Sequence, residues 1–253
     1  DLFHNIKTIL ETINNIRNNS IPDNQDLSSE RKHGLEMFIA KPYNVDKSSI
    51  WEKIINNFPL KGSFYFNLLF WAAGIQIGKN VKFLGRPHLK IRGKPKNILI
   101  GDNVILGDGV DLRNRENGKI ILRNNVYCDD HVRLVAAREG TIQLGKGTEV
   151  GANTVINSGG EVLTGQYCLI AGNVNINSSR HGIRRNNYIK FQEHEHGHII
   201  LGDDVWIGGG ASILINTEIG EGAIISSNST ASGNFPPFSI SMGNPATILK
   251  YRD

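Results

Sequence analysis

The histidines of this chain concentrate in one short segment, where they could perform two kinds of chemistry. His194, His196 and His198 occupy every second position, and His181 lies shortly before them. Side chains at every second position of an extended strand share one face, so the three imidazoles could bind zinc or nickel. A neutral imidazole, whose ordinary pKa lies near 6.5, can also remove a proton from a weak nucleophile. The alternative interpretation is a solvated loop arm.

Three arginines flank His181 and could bind an anion. Arg180, Arg184 and Arg185 carry guanidinium groups that suit the carboxylate of an acidic sugar or a phosphate group. An exposed loop that only adds solubility would have the same composition. The net charge of the whole chain is only +4 and no long basic run occurs, so the sequence does not indicate a nucleic-acid partner.

The composition is that of a globular protein with a core, since 39% of the 253 residues are hydrophobic and 21% are charged. Cys128 and Cys168 form neither a CxxC motif nor a zinc spacing, which favours a reduced, cytoplasmic chain. We recognise no signal peptide. The longest apolar stretch, 64–77, is too short to span a bilayer, so we expect a buried interface there, with shallow membrane contact as the alternative.

Two regions, which differ in the spacing of their apolar residues, must position these side chains. In residues 1–74, apolar side chains recur every three or four positions, which predicts amphipathic helices, and 64–73 is one candidate. From residue 75 the period becomes six. Each unit has an aliphatic residue, a small residue that is usually glycine, two variable positions and a further small or aliphatic residue. The clearest run has anchors at equal spacing: Leu201, Ile207, Ile213 and Ile219.

Three six-residue units make one triangular coil of about 18 residues. The aliphatic residue points into the coil, and the small residue lets the chain turn a corner without a clash. Ile100, Leu122 and Leu144 lie 22 residues apart, which corresponds to one coil with a short loop at a corner. Neighbouring coils should therefore pair as parallel strands and stack these aliphatic residues into a continuous core.

One coil must be interrupted. The coil after Leu144 begins near Thr164, but the next anchor, Leu201, comes 37 residues later, which predicts an extruded loop near residues 177–198. The fold class predicted for residues 75–253 is mainly β, a left-handed parallel β-helix that follows a helical region. A sandwich of short strands, the main alternative, would show strict alternation and hairpin turns instead of a six-residue step.

Three motifs in the C-terminal part resemble the hexapeptide-repeat acyltransferases, which include galactoside, maltose and polysaccharide O-acetyltransferases. The motifs are Val-Trp-Ile-Gly within 201–214, Ile-Gly-Glu-Gly-Ala-Ile-Ile at 219–225 and Gly-Asn-Pro-Ala at 243–246. The resemblance covers roughly residues 98–252. It implies a homotrimer that binds acetyl-CoA along the groove between adjacent β-helices, with three active sites at the subunit interfaces.

The same resemblance implies three catalytic roles. The family carries a catalytic histidine in a loop just upstream of the Val-Trp-Ile-Gly coil, and His181 occupies that place, 25 residues before Trp206. His181 would accept the proton of the hydroxyl as it attacks the thioester, so the extruded loop would deliver it to the Trp206 coil. The Gly209 N–H would stabilise the oxyanion, and Trp206 would pack beside the acetyl group.

The cofactor residues follow from the resemblance position by position. Ser227 matches a position whose backbone contacts the pantetheine arm, and Lys250 matches a basic residue near the phosphates of coenzyme A. Gly208 is a further candidate for cofactor binding. Asn244 and Pro245 would shape the turn beside the cofactor.

Candidate acceptor contacts are Asn157, Arg180 and Arg184, because asparagine amides and guanidinium groups suit sugar hydroxyls and acidic groups. We expect no metal, since this transfer chemistry requires none. The solvated arm is therefore the favoured interpretation of the alternating histidines at 194–198.

The sequence thus leads us to expect an acetyl-CoA-dependent O-acetyltransferase that acts on a saccharide hydroxyl in bacterial surface-polysaccharide or related sugar metabolism. Within enzymes, the acceptor could instead be the amine of a nucleotide sugar, the hydroxyl of serine or an antibiotic. Outside this class, the β-helix could be a non-catalytic scaffold or a metal trimer like carbonic anhydrase. The last alternative needs histidines on adjacent coils, whereas four of the eight histidines of this chain cluster in one loop.

Overall fold

The structure is a computed structural model that describes residues 55–56, 62–185 and 187–253. Residues 55–56 are helical, α1 spans Ser63–Ala72, and two single-turn 3-10 helices lie at Pro95–Asn97 and Ile189–Phe191. The remaining elements are short strands. In chain order they are β1 (Gln76–Ile77), β2 (Lys82–Phe83), β3 (His88–Gly93), β4 (Ile98–Ile100), β5 (Ile105–Leu106), β6 (Asp111–Glu116), β7 (Lys119–Leu122), β8 (Tyr127–Cys128), β9 (Arg133–Ala136), β10 (Thr141–Leu144), β11 (Glu149–Val150), β12 (Val155–Ser158), β13 (Glu161–Thr164), β14 (Leu169–Ile170), β15 (Asn175–Asn177), β16 (Ser179–His181), β17 (His194–His196), β18 (His198–Leu201), β19 (Trp206–Ile207), β20 (Ser212–Ile219), β21 (Ile224–Ile225), β22 (Thr230–Phe235), β23 (Ser239–Gly243) and β24 (Ala246–Tyr251).

The strands wind into a parallel β-helix with three faces and about seven turns. The first face stacks β1, β4, β7, β10, β13 and β18, the second runs from β2 through β5, β8, β11, β14, β19 and β21 to β23, and the third stacks β3, β6, β9, β12 and β15. β20 turns a corner, because its first half pairs with β15 and its second half with β18. The predicted left-handed parallel β-helix is confirmed, and the parallel pairing excludes the sandwich.

Inward columns of aliphatic side chains hold the coils together. Ile100, Leu122 and Leu144 pair in register, as their 22-residue spacing predicts, and all three are buried. Full burial of one such side chain contributes roughly 1.5–3 kcal/mol. A slip of one residue would turn a whole column out to water. The register is therefore fixed, and it holds each corner of the β-helix in a constant position.

Helix α1 covers the N-terminal end of this core. Phe66 and Phe70 are fully buried, and their ring centroids lie 5.4 and 5.0 Å from that of Phe83 in the first coil. The helix thus packs the side that carries Phe66 and Phe70 on the open end of the β-helix and covers the core there, as a terminal cap of a repeat protein must.

Polar side chains of the cap satisfy the open edge of the first coil. The Asn67 amide donates to the carbonyl of Val81 at 2.9 Å, and Ser63 Oγ accepts a β2 N–H at 2.9 Å. The Asn56 amide both donates to the carbonyl of Leu89 and accepts from its N–H, each at 2.9 Å. These bonds replace those of a further coil, so this edge offers few free groups to another strand.

The predicted helix at 64–73 is confirmed as α1, which begins one residue earlier. The other helices predicted for residues 1–74 fall in 1–54 and 57–61, outside the described residues. The inserted segment between β15 and β18 forms an arm that contains β16 and β17.

A substitution at Gly145 tests how closely the backbones of neighbouring coils approach each other at a corner. A β-carbon there would overlap the backbone carbonyl oxygen of Gly165 in the next coil. We expect Gly145→Ala to lower the free energy of unfolding by roughly 3 kcal/mol, measured by denaturant unfolding followed by circular dichroism. Gly209→Ala is the matched control, because the atom nearest to its β-carbon is the Gly172 oxygen at 3.4 Å. Equal stability of the two variants would contradict this account.

Candidate active site

The inserted segment forms a two-stranded antiparallel arm at the corner between the third and first faces. It returns to the β-helix at Gly197, whose N–H donates to the carbonyl of Ser178 at 2.9 Å. Paired residues of antiparallel strands project to the same side, and successive pairs alternate. The arm therefore has a histidine face and an ion-pair face. The pairs of the histidine face are Ser179 with His196 and His181 with His194, and the pair of the ion-pair face is Arg180 with Glu195.

The histidine face holds three imidazoles close together. The ring centroids of His181 and His194 are 4.0 Å apart, and those of His194 and His196 are 6.1 Å apart with nearly parallel planes. Ser179 Oγ lies 2.8 Å from His196 Nδ1 within a hydrogen bond. His196 Nε2 is buried without a hydrogen-bond partner among the described residues. His196 is thus fixed by Ser179, whereas His181 is exposed at the outer end of its strand.

The ion-pair face fixes the arm from the other side. Arg180 Nη2 lies 2.6 Å from Glu195 Oε2, and Arg180 Nε donates to the same oxygen at 2.7 Å. Both side chains are about half exposed, so the pair contributes little stability by itself. Arg184 lies farther along the arm, where its backbone N–H donates to Gln192 Oε1 at 2.7 Å.

The expectation that His194, His196 and His198 share one face of an extended strand is wrong for His198. β17 ends at His196, and His198 begins β18 on the first face of the β-helix. There His198 Nε2 lies 3.1 Å from Glu218 Oε1. The break at Gly197, where the chain rejoins the β-helix, separates His198 from His194 and His196. No cluster of metal-ligating side chains is present in the described part of the chain.

Both histidines of β17 bind protons less readily than an ordinary imidazole. Desolvation is the largest cause of the lowered pKa of His194, and His181 and Arg138 lower it further. Desolvation likewise lowers the pKa of His196, with Arg138 and His194 adding to the effect and Glu116 opposing it. At neutral pH these two imidazoles are therefore neutral, the form that can accept a proton.

A second polar site lies at the corner between the second and third faces. The turn that follows β19 consists of three glycines, 208–210, and the Gly209 N–H has no acceptor among the described residues. In the first coil, the N–H at this corner donates to a carboxylate of the next coil, as the Arg86 N–H does to Asp108 at 2.7 Å. The next coil places Ser227 below Gly209, and no hydrogen bond joins them. The Gly209 N–H therefore remains available to a bound group.

The second face carries a column from Trp206 to Lys250. Trp206 is 46% exposed and pairs in register with Ile224, which pairs with Ile240. Ile240 pairs in turn with Lys250 of β24. Neighbouring strands lie about 4.8 Å apart, so the column measures roughly 14 Å. Trp206 faces outward, as predicted, and Lys250 is exposed at the other end.

The predicted cofactor residues of the C-terminal turn lie at the same corner as Gly209. β23 ends at Gly243, whose N–H donates to Ser229 Oγ at 3.0 Å, and Asn244 and Pro245 follow directly. Ser229 is two residues after Ser227. The structure thus brings the predicted cofactor positions to one corner and one face of the β-helix.

His181 and Gly209 lie at different corners of one chain. The arm leaves the corner between the third and first faces, where Asn216 of β20 also lies, whereas Gly209 precedes β20 at the opposite edge of the third face. The seven residues from Gly209 to Asn216 span at most roughly 25 Å. Among the described residues, no hydrogen bond, ion pair or ring contact joins His181 to Gly209 or Trp206.

A cavity of about 400 Å³ lies between the base of the arm and the third face. Its lining includes Arg180, Asn175, Asn177 and Ser212, so it offers amide, hydroxyl and guanidinium groups. Asn177 also accepts the Ser179 N–H at 3.1 Å. Asn157 pairs in register with Asn177 on the neighbouring strand, outside this lining.

The two cysteines do not take part in this arrangement. Both are buried and unpaired, and burial raises the pKa of Cys128 to about 12 and also raises that of Cys168. Because the thiolate is the nucleophilic form, neither is suited to carry an acyl group.

The chain was compared with known proteins, and no family model matches it. Over 177 residues it is 29% identical to Rv3034c of Mycobacterium tuberculosis, named a probable acetyltransferase, with 67% of this chain and 54% of that protein covered. Over 162 residues it is 28% identical to WbbJ of Escherichia coli, named for O-acetyl transfer in lipopolysaccharide biosynthesis, with 61% and 71% covered. The chain thus spans about half the length of the first relative.

Among solved structures, a variant of AntD, an N-acyltransferase from Bacillus cereus in complex with dTDP and coenzyme A, has a TM-score of 0.53 and 19% identity. The match covers 76% of this chain and 91% of AntD. At this identity the likeness concerns the fold alone. The chain is similar to the hexapeptide-repeat acyltransferases. This resemblance, predicted from the motifs, is confirmed by the sequence relatives and the shared fold.

Sequence reasoning from the hexapeptide-repeat pattern missed the two contacts that shape the histidine face. These are the bond between Ser179 and His196 and the ring contact between His181 and His194. A signal was present, because Ser-Arg-His at 179–181 and His-Glu-His at 194–196 bound the insertion with matching alternation. Pairing the two tripeptides as a hairpin gives the observed register.

The lowered pKa values of His194 and His196 predict how the arm responds to pH. In the unfolded arm these imidazoles bind protons with the ordinary pKa of 6.5, so the folded arm binds fewer protons. Their contribution to arm stability is present above pH 6.5 and is lost as the pH falls below it. Below pH 6.5, hydrogen exchange of the backbone amides in the arm should therefore accelerate relative to exchange of the amides in the core of the β-helix.

Titration of the His194 ring, followed by NMR, separates the effect of His181 on the His194 pKa from the effect of desolvation. We expect His181→Asn to raise the pKa of His194 toward 6.5 without fully restoring it, because desolvation remains. His88→Asn, on an exposed residue of the first coil, is the control and should leave the His194 titration unchanged. An unaltered His194 pKa in His181→Asn would contradict the proposed coupling.

Proposed function

We propose that residues 75–253 transfer an acetyl group from acetyl-CoA to a hydroxyl of a saccharide. The observation that carries this proposal is the unpaired Gly209 N–H in a turn of three glycines beside the exposed Trp206. A β-carbon at Gly208 would collide with the backbone of Ser227 in the next coil, so this position requires glycine. No side chain therefore projects from the turn at 208–210. A thioester carbonyl can approach such a turn, and its N–H suits an oxygen that becomes negative during acyl transfer.

In this proposal, the corner and the second face hold the acyl donor along its length. Gly208, Ser227, Asn244 and Pro245 lie along the corner, and Lys250 lies at the far end of the column that begins at Trp206. The lysine ammonium would pair with a phosphate of coenzyme A. AntD, which shares the fold, was solved with coenzyme A.

His181 acts as the general base in this proposal. Its imidazole removes the proton of the acceptor hydroxyl while the hydroxyl oxygen bonds to the acetyl carbon. The Gly209 N–H donates to the acetyl oxygen as negative charge develops, an interaction worth roughly 3 kcal/mol in comparable sites. The carbon–sulfur bond then breaks, and the imidazolium returns its proton to the sulfur. No group of the protein is acylated.

The acceptor is proposed to bind in the cavity at the base of the arm. Asn177 and Ser212 provide hydrogen bonds suited to sugar hydroxyls, and Arg180 adds a charge that Glu195 partly balances. Asn157 and Arg184 are more distant candidates on the same face and on the outer arm. WbbJ, the relative named for lipopolysaccharide O-acetyl transfer, supports a saccharide acceptor.

The placement of His181 and Gly209 at different corners of one chain favours a site shared between copies. In the proposed homotrimer, the arm of one protomer would reach the glycine corner of its neighbour, so the base and the oxyanion donor come from different chains. The unpaired cysteines favour a reducing compartment, and we place the reaction in the cytoplasm.

The exposed position of His181 makes its removal a direct test. We expect His181→Ala to lower acetyl transfer by at least about 100-fold while leaving coenzyme A binding unchanged, because the arm lies apart from the proposed donor column. The measurements are thiol release from acetyl-CoA with a panel of acceptors, and mass spectrometry of the product glycans. His88→Ala is the matched control and should retain full transfer.

Two results would contradict the proposal. Full activity of His181→Ala would remove the histidine from the reaction. Acylation of amino sugars without any acylation of hydroxyl acceptors would assign the chain to N-acyl transfer.

A further inference from the structure

The capped end of the β-helix carries exposed aromatic side chains. Phe66, Leu69 and Phe70 of α1 are buried. At 3.6 residues per turn, Phe64 and Trp71 lie on the opposite side of the helix, where they are 58% and 69% exposed. Because the buried side packs on the first coil, these two rings point away from the β-helix.

Positive charge surrounds the same end. Residues 62–101 contain seven Lys and Arg and no Asp or Glu, whereas the whole chain has 28 basic and 24 acidic residues. The rest of the chain therefore has more acidic than basic residues. Four exposed lysines occupy different sides of the first coil, namely the corner before the second face, the second face itself and the corner after the third face. They are Lys79, Lys82, Lys94 and Lys96.

We propose that this end docks on an anionic membrane surface. The end surface, defined by Phe64, Trp71 and the four lysines, would place its aromatic rings at the level of the lipid headgroups and its ammonium groups against lipid phosphates. The charge pattern favours this occupant, because residues 62–101, which carry all six residues of this surface, contain no carboxylate and so complement a uniformly anionic plane. A second copy of this chain would instead bring the same lysines against one another.

The physics of the interface supports docking rather than insertion. Tryptophan and other aromatic side chains concentrate at the boundary between headgroups and acyl chains, and each nearby lysine strengthens binding to anionic lipid about fivefold. α1 has 10 residues and is roughly 15 Å long, about half the thickness of the hydrocarbon core. No helix in the described ranges is long and apolar enough to cross a bilayer.

Docking by this end would leave the arm open to water. The arm follows β15, which lies four strands from β3 on the third face, so it is roughly 20 Å from the first coil. The inference rests on the cap and its charges and does not require the proposed transfer reaction. Vesicle binding and acetyl transfer can therefore succeed or fail independently.

Vesicle cosedimentation of the full chain tests the proposal. We expect binding to vesicles of phosphatidylcholine and phosphatidylglycerol in equal parts, weaker binding to phosphatidylcholine alone, and loss of binding at high salt. A combined Lys82→Gln, Lys94→Gln and Lys96→Gln variant should bind about 100-fold more weakly. A combined Phe64→Ser and Trp71→Ser variant should also lose binding, and both remain folded because the replaced side chains are exposed.

The control variants carry matched changes elsewhere on the surface, three of Lys→Gln in one and two of an exposed aromatic residue to Ser in the other. They are Lys119→Gln with Lys146→Gln and Lys190→Gln, and Tyr167→Ser with Tyr188→Ser, and both should bind as wild type does. Equal binding to neutral and anionic vesicles, equal loss in the test and control variants, or no binding at all would overturn the proposal. A change of oligomeric mass in Phe64→Ser with Trp71→Ser, without a change in vesicle binding, would assign the surface to contact between copies and would also overturn it.

Discussion

Parallel stacking of the coils, about 4.8 Å apart, is the constraint on which the rest of the structure depends. Inward columns such as Ile100, Leu122 and Leu144 stay buried only while every coil keeps its register. The interior therefore accommodates few polar groups. Segments inserted into the repeat must project outward at the corners, where the chain turns. The arm and the glycine turn at 208–210 both lie at corners, and the chemistry proposed for the chain is built on these two positions.

The repeat could be predicted from the sequence because each coil obeys the same local rule, an inward aliphatic residue followed by a small corner residue. The position of the insertion followed from one interrupted spacing, between Thr164 and Leu201. The register of the arm did not, since hairpin pairing of residues 179–181 with 194–196 depends on contacts that no repeat encodes. His198 illustrates the limit, because its alternation with His196 is ended by the return of the chain to the first face.

In the candidate site, too, some features could be predicted from the sequence and others depend on contacts between coils. The family motifs named His181 and Gly209, but spacing along the chain could not show that the third face separates them. The available N–H of Gly209 also depends on the next coil, where Ser227 stands in place of the carboxylates that Asp108 and Asp130 supply in the second and third coils. Such relations arise between coils, whereas the six-residue pattern describes each coil alone. They favour an arrangement with two chains as the simplest way to unite the proposed base with the proposed oxyanion donor.

Coexpression of two inactive variants tests this central claim most directly. One chain would carry His181→Ala and the other Gly209→Val, whose β-carbon would lie 3.4 Å from its nearest neighbour, the Gly172 oxygen, and whose branched side chain is chosen to obstruct access to the N–H. If the site is shared, each variant alone is inactive, and mixed assemblies regain part of the wild-type acetyl transfer, because some sites receive an intact arm and an intact glycine turn. Mixed assemblies that form, as native mass spectrometry would show, yet remain inactive would contradict the account.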